Sequence, residues 1–136
     1  MNRAVVSALL LLASVAAGAA TARERNRWPL DSRGVLLAIA KAPAKARAEK
    51  NPYEGQPDAI LAGEKLYRQK CAECHGAGAR GTSRAANLHW RSVQNATPGE
   101  LAWLLRNGNI ARGMPPWAGI PEQRRWQIVA YLKTLH

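Results

Sequence analysis

Five consecutive residues, Cys71-Ala72-Glu73-Cys74-His75, constrain this chain more than any other stretch. Two thiols three residues apart, with an imidazole directly after the second, form the C-x-x-C-H signal for covalent attachment of a c-type haem. Each residue type answers a chemical need. The thiols of Cys71 and Cys74 add across the two vinyl groups of a haem and hold the macrocycle through two thioether bonds. His75 then lies beneath the ring, where its imidazole serves as proximal ligand to the iron. Other uses of paired cysteines do not suit the count. A structural zinc site takes four ligands, whereas Cys71 and Cys74 are the only cysteines, and His89 and His136 stand alone. A thioredoxin-type pair belongs to a strand–helix–strand context, which this mostly helical pattern does not offer.

Iron held by one histidine has a second face to fill. The chain has two methionines, Met1 and Met114, and Met114 is the sole thioether left once a leader is removed. It stands in Arg112-Gly113-Met114-Pro115-Pro116-Trp117, 39 residues after His75. Glycine and proline on either side suit a loop of fixed shape that presses one sulfur toward a metal. The plainer use of such a methionine is to fill a gap in a core. Beside C-x-x-C-H, a Gly-Met-Pro turn points to the ligand.

With both ligands in view, the stretch from Asp58 to His136 resembles a class I cytochrome c of the bacterial periplasmic type. Four features carry the resemblance: a helix with Gly63 and Tyr67, the motif Cys71–His75, the Gly-Met-Pro loop, and a final helix with Trp126, Ile128, Tyr131 and Leu132. The implied fold is all-α, with three to five helices wrapped around one covalently bound haem c. The first and last helices of that fold cross, and the glycine admits the aromatic residue of the last helix. This sets Gly63 and Tyr67 against Ile128 and Tyr131. The family also has a proline before a leucine whose carbonyl accepts the second N–H of the proximal histidine. Here Ala85-Ala86-Asn87-Leu88 stands in that place, and several carbonyls there are open to the role.

The chain divides by composition into three parts. Met1 to Ala22 reads as a secretory leader, with Arg3 as the positive n-region, a small-apolar run from Ala4, and Ala20-Thr21-Ala22 as an A-x-A cleavage site. Left uncleaved, it approaches the ~20 residues that span a bilayer, and only then is a membrane a partner. Either way the expected address is the periplasm. Residues 23–57 form a basic arm or linker, and residues 58–136 the haem domain. A domain of this size has limited surface to bury by itself, so the haem is expected to complete the core and the apo-chain to fold poorly.

The full chain has 20 basic and 9 acidic residues; losing Arg3 with the leader leaves a net charge of +10. Such a balance suits nucleic acid, anionic lipid or an acidic protein partner. An exported haem protein does not meet nucleic acid, so an acidic redox protein is the expected partner. The charge is shared evenly, at +5 on Arg23 to Lys50 and +5 on Asn51 to His136.

Within the arm, Val35-Leu36-Leu37-Ala38-Ile39-Ala40 is an apolar patch suited to packing on the domain or on a partner, and Asn51 to Pro57 forms turns. Asp58 is expected to cap a helix to about Lys70, with Ile60, Gly63, Leu66 and Tyr67 on one face. Gly76 to Thr82 reads as a flexible loop by composition. Leu88 is expected on the haem, with His89 a rival ligand or a loop histidine. Thr97-Pro98-Gly99-Glu100 reads as a capping box opening a short helix, with Leu101, Leu104 and Leu105 together and Asn107-Gly108 as the stop. Trp90, Trp103 and Trp117 are candidates for the pocket wall or for ordinary core. Pro121 suits the first position of the last helix, whose apolar face is Ile128, Tyr131, Leu132 and Leu135.

A six-coordinate His/Met iron has no open position for a substrate, and thioether ligation favours the ferrous state. The expected function is therefore single-electron carriage, between a periplasmic dehydrogenase and a terminal oxidase or other cytochrome, without small-molecule substrate or enzymatic activity. The tryptophan-rich version with a basic arm resembles cytochromes serving quinoprotein dehydrogenases. Two alternatives differ in class. One is a haem enzyme or gas sensor in which Met114 leaves the iron and His89 or Arg112 acts on the open side. The other is the cytochrome subunit of a larger dehydrogenase complex.

Overall fold

In the computed structural model, which describes residues 32–136, two helices cross so closely that one glycine decides whether they meet. The first helices in chain order are α1 (Ser32–Ile39), α2 (Ala44–Arg47), α3 (Pro57–Lys70) and α4 (Ala72–His75). They are followed by α5 (Arg91–Gln94), α6 (Pro98–Asn107), a 3₁₀ turn at Ile110–Arg112 and α7 (Glu122–Leu132). Four of them run eight residues or more; α2, α4 and α5 are single turns. Among the described residues the extended backbone amounts to one isolated bridge, Asn109 to Met114. No described helix is long and apolar enough to cross a membrane. The leader read in residues 1–22 and the start of the arm, through Asp31, fall outside the described residues.

α3 and α7 form the frame. Ala59, Gly63 and Tyr67 recur at helical spacing and are buried, as are Trp126, Ile128, Val129 and Leu132 on the opposing helix. A Cβ placed on Gly63 would lie 1.9 Å from the Gln127 carbonyl oxygen and 3.1 Å from the Ile128 nitrogen. The glycine thus faces bare backbone at Gln127 and Ile128. Its absent side chain lets the aromatic rings meet one turn further on, where Tyr67 and Tyr131 stack at 5.4 Å between centroids with planes tilted by 47°. Such tilted pairs add about 0.5–1.5 kcal/mol beyond their buried area. Tyr67, Ile128 and Val129 are the largest side chains fully removed from solvent.

Helix ends follow local chemistry, with two departures from expectation. Pro57 occupies the first turn of α3 and Gln56 is the N-cap, without a side-chain hydrogen bond. Asp58 lies two residues past the capping position, and acts instead as a negative charge beside the positive helix end. Pro121 is the N-cap of α7, because its ψ of 142° is extended, and the helix starts at Glu122. The capping box of α6 forms as expected: Glu100 N donates to Thr97 Oγ1 at 3.2 Å, and Thr97 N donates to Glu100 Oε2 at 2.8 Å.

The segment before Pro57 lies against the haem domain. Val35, Ala38 and Ile39 of α1 are buried, while Leu36 and Leu37 on the other side of the helix stay exposed. α1 packs on α5 and α6, and α2 packs on α6. Turns at Asn51–Glu54 and Tyr53–Gln56 then lead into α3. At the far end, Lys133 donates its ammonium protons to the carbonyls of Gln94 and Ala96, tying the end of α7 to the last residue of α5 and the loop after it.

Gly63→Val should therefore force α7 away from α3, costing a few kcal/mol in the manner of an overpacked core. Thermal denaturation of the haem-loaded protein checks this. A melting temperature equal to that of the parent would mean that the two backbones do not touch at Gly63.

Candidate haem site

The thiols and imidazole of the motif reach one face because of where the chain bends. α3 ends at Cys71, and α4 continues for one turn through Ala72–His75. Cys74 N and His75 N both donate to Cys71 O, at 3.1 and 2.9 Å. Cys74 and His75 are therefore three and four residues on from Cys71 in helical geometry, the spacing that brings side chains together. All three line a single interior cavity of about 420 Å³, within the roughly 300–1,000 Å³ of small-molecule and cofactor sites.

The imidazole is set for ligation by its other nitrogen. His75 Nδ1 lies 2.8 Å from the carbonyl oxygen of Ala86. A carbonyl only accepts, so Nδ1 carries the proton and Nε2 keeps its lone pair, the arrangement that fixes a metal-ligating histidine. Burial lowers the His75 pKa from its ordinary value, against a smaller opposing effect of the Ala86 hydrogen bond. The ring is thus kept neutral, as a ligand must be. Ala86 answers which residue of the Ala85–Leu88 stretch supplies the acceptor. No side-chain signal marks it, because the group that matters is backbone.

The loop after His75 is pinned rather than flexible. Gly81 N donates to His75 O at 2.9 Å, Leu88 N to Ala79 O at 2.8 Å, and Thr82 N to Ala85 O at 3.0 Å. His89 Nε2 is 2.9 Å from Gly78 O. Glycine content alone predicts a mobile segment; the hydrogen bonds that lock it join residues up to eleven apart and cannot be read from composition. Tyr67 adds a further tie. Its hydroxyl, whose pKa burial raises and so keeps protonated, donates to Gly76 O at 2.6 Å.

Met114 also lines the cavity, on the loop after α6. Asn109 N donates to Met114 O at 2.9 Å, and Met114 N donates to Asn109 O at 3.2 Å. Gly108 makes this reversal possible. Its φ of 68° with ψ of −171° suits glycine alone, and a Cβ there would lie 2.6 Å from Pro115 C and Pro116 N. Gly108 both stops α6 and admits the Met114–Pro116 strand beside it. Trp117 N donates to Leu105 O at 2.9 Å, fixing the far side of the loop.

The rest of the wall is apolar. Leu88, Leu101, Leu104, Leu105 and Trp117 line it, whereas Trp90 and Trp103 do not. Trp90 lies over a shallow groove between α1 and α5, and Trp103 is half-buried on the outside of α6. His89 is also absent from the lining, so of the two groups considered for a distal role only Arg112 reaches the cavity. Lys70 and Arg84 join Arg112 there.

The donor set suits a covalently held metal macrocycle. Burial, with Cys74 nearby, pushes the Cys71 thiol up to about 11, so it is a protonated thiol and not a reactive thiolate of the redox-exchange kind. Among the described residues no cluster of three or more His, Cys, Asp or Glu forms, which leaves the pair without the company zinc needs. Two thiols, a neutral imidazole and a thioether around an aliphatic and aromatic cavity fit haem, which needs anchors, two axial donors and a dry surrounding.

Residues 58–132 match the protein family described as "Cytochrome C oxidase, cbb3-type, subunit III". The cbb3-type cytochrome c oxidase subunit CcoP of Rubrivivax gelatinosus is 34% identical over 103 residues, 69% of this chain and 33% of that protein. Quinohemoprotein alcohol dehydrogenase ADH IIB of Pseudomonas putida is 41% identical over 89 residues, 65% of this chain and 13% of that protein. The chain thus spans a third or less of these relatives. Among solved structures, cytochrome cL from Methylophaga aminisulfidivorans MPT superposes with a TM-score of 0.57 at 25% identity, over 64% of this chain and 59% of that one. Cytochrome cL from Hyphomicrobium denitrificans shares the fold, with a TM-score of 0.52 at 21% identity over 70% and 64% of the two chains. The chain belongs to the cbb3-type subunit III family of cytochrome c domains, class I electron carriers with a single covalent haem c.

Proposed function

We propose that this chain is an exported, periplasmic cytochrome c that passes single electrons between a dehydrogenase and an oxidase or second cytochrome. The observation that carries the reading is the convergence of Cys71, Cys74, His75 and Met114 on one apolar cavity. In this proposal Cys71 and Cys74 form the thioether bonds, His75 Nε2 is the proximal ligand and the Met114 sulfur is the sixth. Bound in this way, haem supplies a one-electron couple with no open coordination position. The protein's own part is to hold the two ligands, keep His75 neutral through Ala86, and exclude water with the leucine wall. The named relatives, an oxidase subunit and a quinohaemoprotein dehydrogenase, support a partner of either class.

Docking chemistry follows from the charged residues at the cavity. Lys70, Arg84 and Arg112 line it. Arg84 is 3.3 Å from the exposed Glu73, an ion pair worth little in water. Beside Arg112, Ile110 is 74% exposed, an apolar contact point within a positive surround. An acidic redox partner with a small apolar centre is the proposed complement. Residues 1–22 act as the export leader, which delivers the chain to the compartment where haem is attached.

Three outcomes test this. Cys71→Ala with Cys74→Ala should leave haem extractable by acid acetone, whereas either change alone should retain one thioether; acid-resistant haem in the double variant refutes the attachment. Met114→Ala should abolish the weak long-wavelength band of methionine ligation, admit cyanide readily and drop the potential within the about 0.8 V range that axial ligands command. An unchanged spectrum would move the sixth position to another residue. Finally, stopped-flow electron transfer to the partner should slow as salt rises, since at ~0.15 M the screening length is about 8 Å. Arg112→Glu or Lys70→Glu should slow association by about 10-fold at low salt without moving the absorption maxima. A rate constant flat with salt would remove steering.

A further inference from the structure

The residues matched by the family model do not close the cavity alone. The match begins at Asp58, yet Val35, Ala38 and Ile39 of α1 line the same cavity as His75 and Met114. All three are aliphatic and buried. α1 therefore turns an apolar stripe into the cofactor site while its opposite side, with Leu36 and Leu37, faces outward.

The segment is fastened at three points. α2 lies so close to the start of α6 that a Cβ on Gly99 would come within 1.8 Å of the Ala46 carbonyl oxygen. Arg47 donates from Nε to Ala42 O at 2.9 Å and from Nη2 to Ala40 O at 2.7 Å, which secures the carbonyls just past the end of α1. The same guanidinium lies 3.5 Å from Glu100 Oε1, and the other oxygen of that carboxylate completes the capping box of α6. Further along, the buried Asn51 donates from Nδ2 to the Trp126 carbonyl in α7 at 2.9 Å. These contacts tie residues 40–51 to α6 and α7, so α1 is held in place from its C-terminal side.

We infer that residues 32–51 are a wall of the haem site standing ahead of the stretch that the family model matches, with Val35 and Ile39 tuning the iron and Gly99 allowing the wall to close. The inference rests on the haem reading above. An aliphatic wall lowers the local dielectric and keeps water and anions from the ring, which disfavours the more highly charged ferric state and raises the potential. Val35 and Ile39 touch the cofactor space without ligating the metal, so they set its properties through solvent access. Gly99 acts one step removed, as a positioning residue.

The test compares haem-loaded full-length protein with Val35→Thr, Ile39→Ser and Gly99→Val. Intact mass reports covalent haem, a redox titration reports potential, and mixing with cyanide reports access to the ferric iron. The expected result is unchanged covalent haem, a lower potential in every variant, and cyanide binding several-fold faster, with Gly99→Val showing the largest change. Should Gly99→Val not accumulate as folded protein, Val35→Thr decides alone, because it keeps the side-chain shape and exchanges one methyl for a hydroxyl. Haem-loaded variants with the parent's potential and cyanide rate would overturn the wall and leave the haem reading standing. Absence of covalent haem from the unaltered chain would overturn both.

Discussion

Everything in this structure is arranged around the direct contact of two backbones at Gly63. With no side chain at that position, the Gln127 carbonyl can approach where a Cβ would otherwise stand 1.9 Å away. The approach sets the crossing of α3 and α7, and from the crossing follow the Tyr67–Tyr131 ring pair and the burial of Ile128 and Val129. Because α3 runs directly into the turn that carries Cys71, Cys74 and His75, the crossing also places the attachment motif. Glycine inside a helix costs about 1 kcal/mol against alanine. Here the cost is offset by packing that no larger residue permits.

Beyond the motif, the cavity is bounded by loops held in different ways. The loop after His75 is held by main-chain bonds that return to its own start, with Ala86 presenting a carbonyl to the imidazole. The Met114 loop is held by one antiparallel bridge and by the tight passage of Pro115 and Pro116 past Gly108. A methionine thioether is a weak, neutral donor on a flexible stem. In the proposed ligation it would be a fixed donor only where its backbone has little freedom, a restraint that the bridge between Asn109 and Met114 supplies.

Charge and apolar surface are separated around this centre. The interior is lined by leucine, valine and isoleucine, and the cations Lys70, Arg84 and Arg112 border it. A dry interior keeps the two oxidation states differentiated by the protein, while the positive border acts over distance on whatever approaches. These are separate physical tasks, one of short-range dielectric and one of long-range field, and the chain assigns them to different residues.

The attachment motif was legible in the sequence because C-x-x-C-H is local chemistry: three side chains within five residues, brought to one side by a single helical turn. The Gly-Met-Pro loop, the capping box at Thr97 and the apolar faces of α3 and α7 were legible for the same reason, each being a pattern within a turn or two. Tertiary structure alone decided that Ala86 supplies the acceptor for His75, since any carbonyl in Ala85–Leu88 has the same chemistry and only position distinguishes them. It likewise decided that the nearest neighbour of Gly63 is the Gln127 backbone, that Trp117 and not Trp90 or Trp103 lines the cavity, and that the glycine-rich loop is pinned by hydrogen bonds. The same holds for α1, whose apolar run suited either a partner or the domain, and whose destination depended on a glycine sixty residues away. Side-chain chemistry and period are written locally. Proximity between distant segments is a property of the packed chain, because backbone groups alike in sequence become different only when something is placed against them.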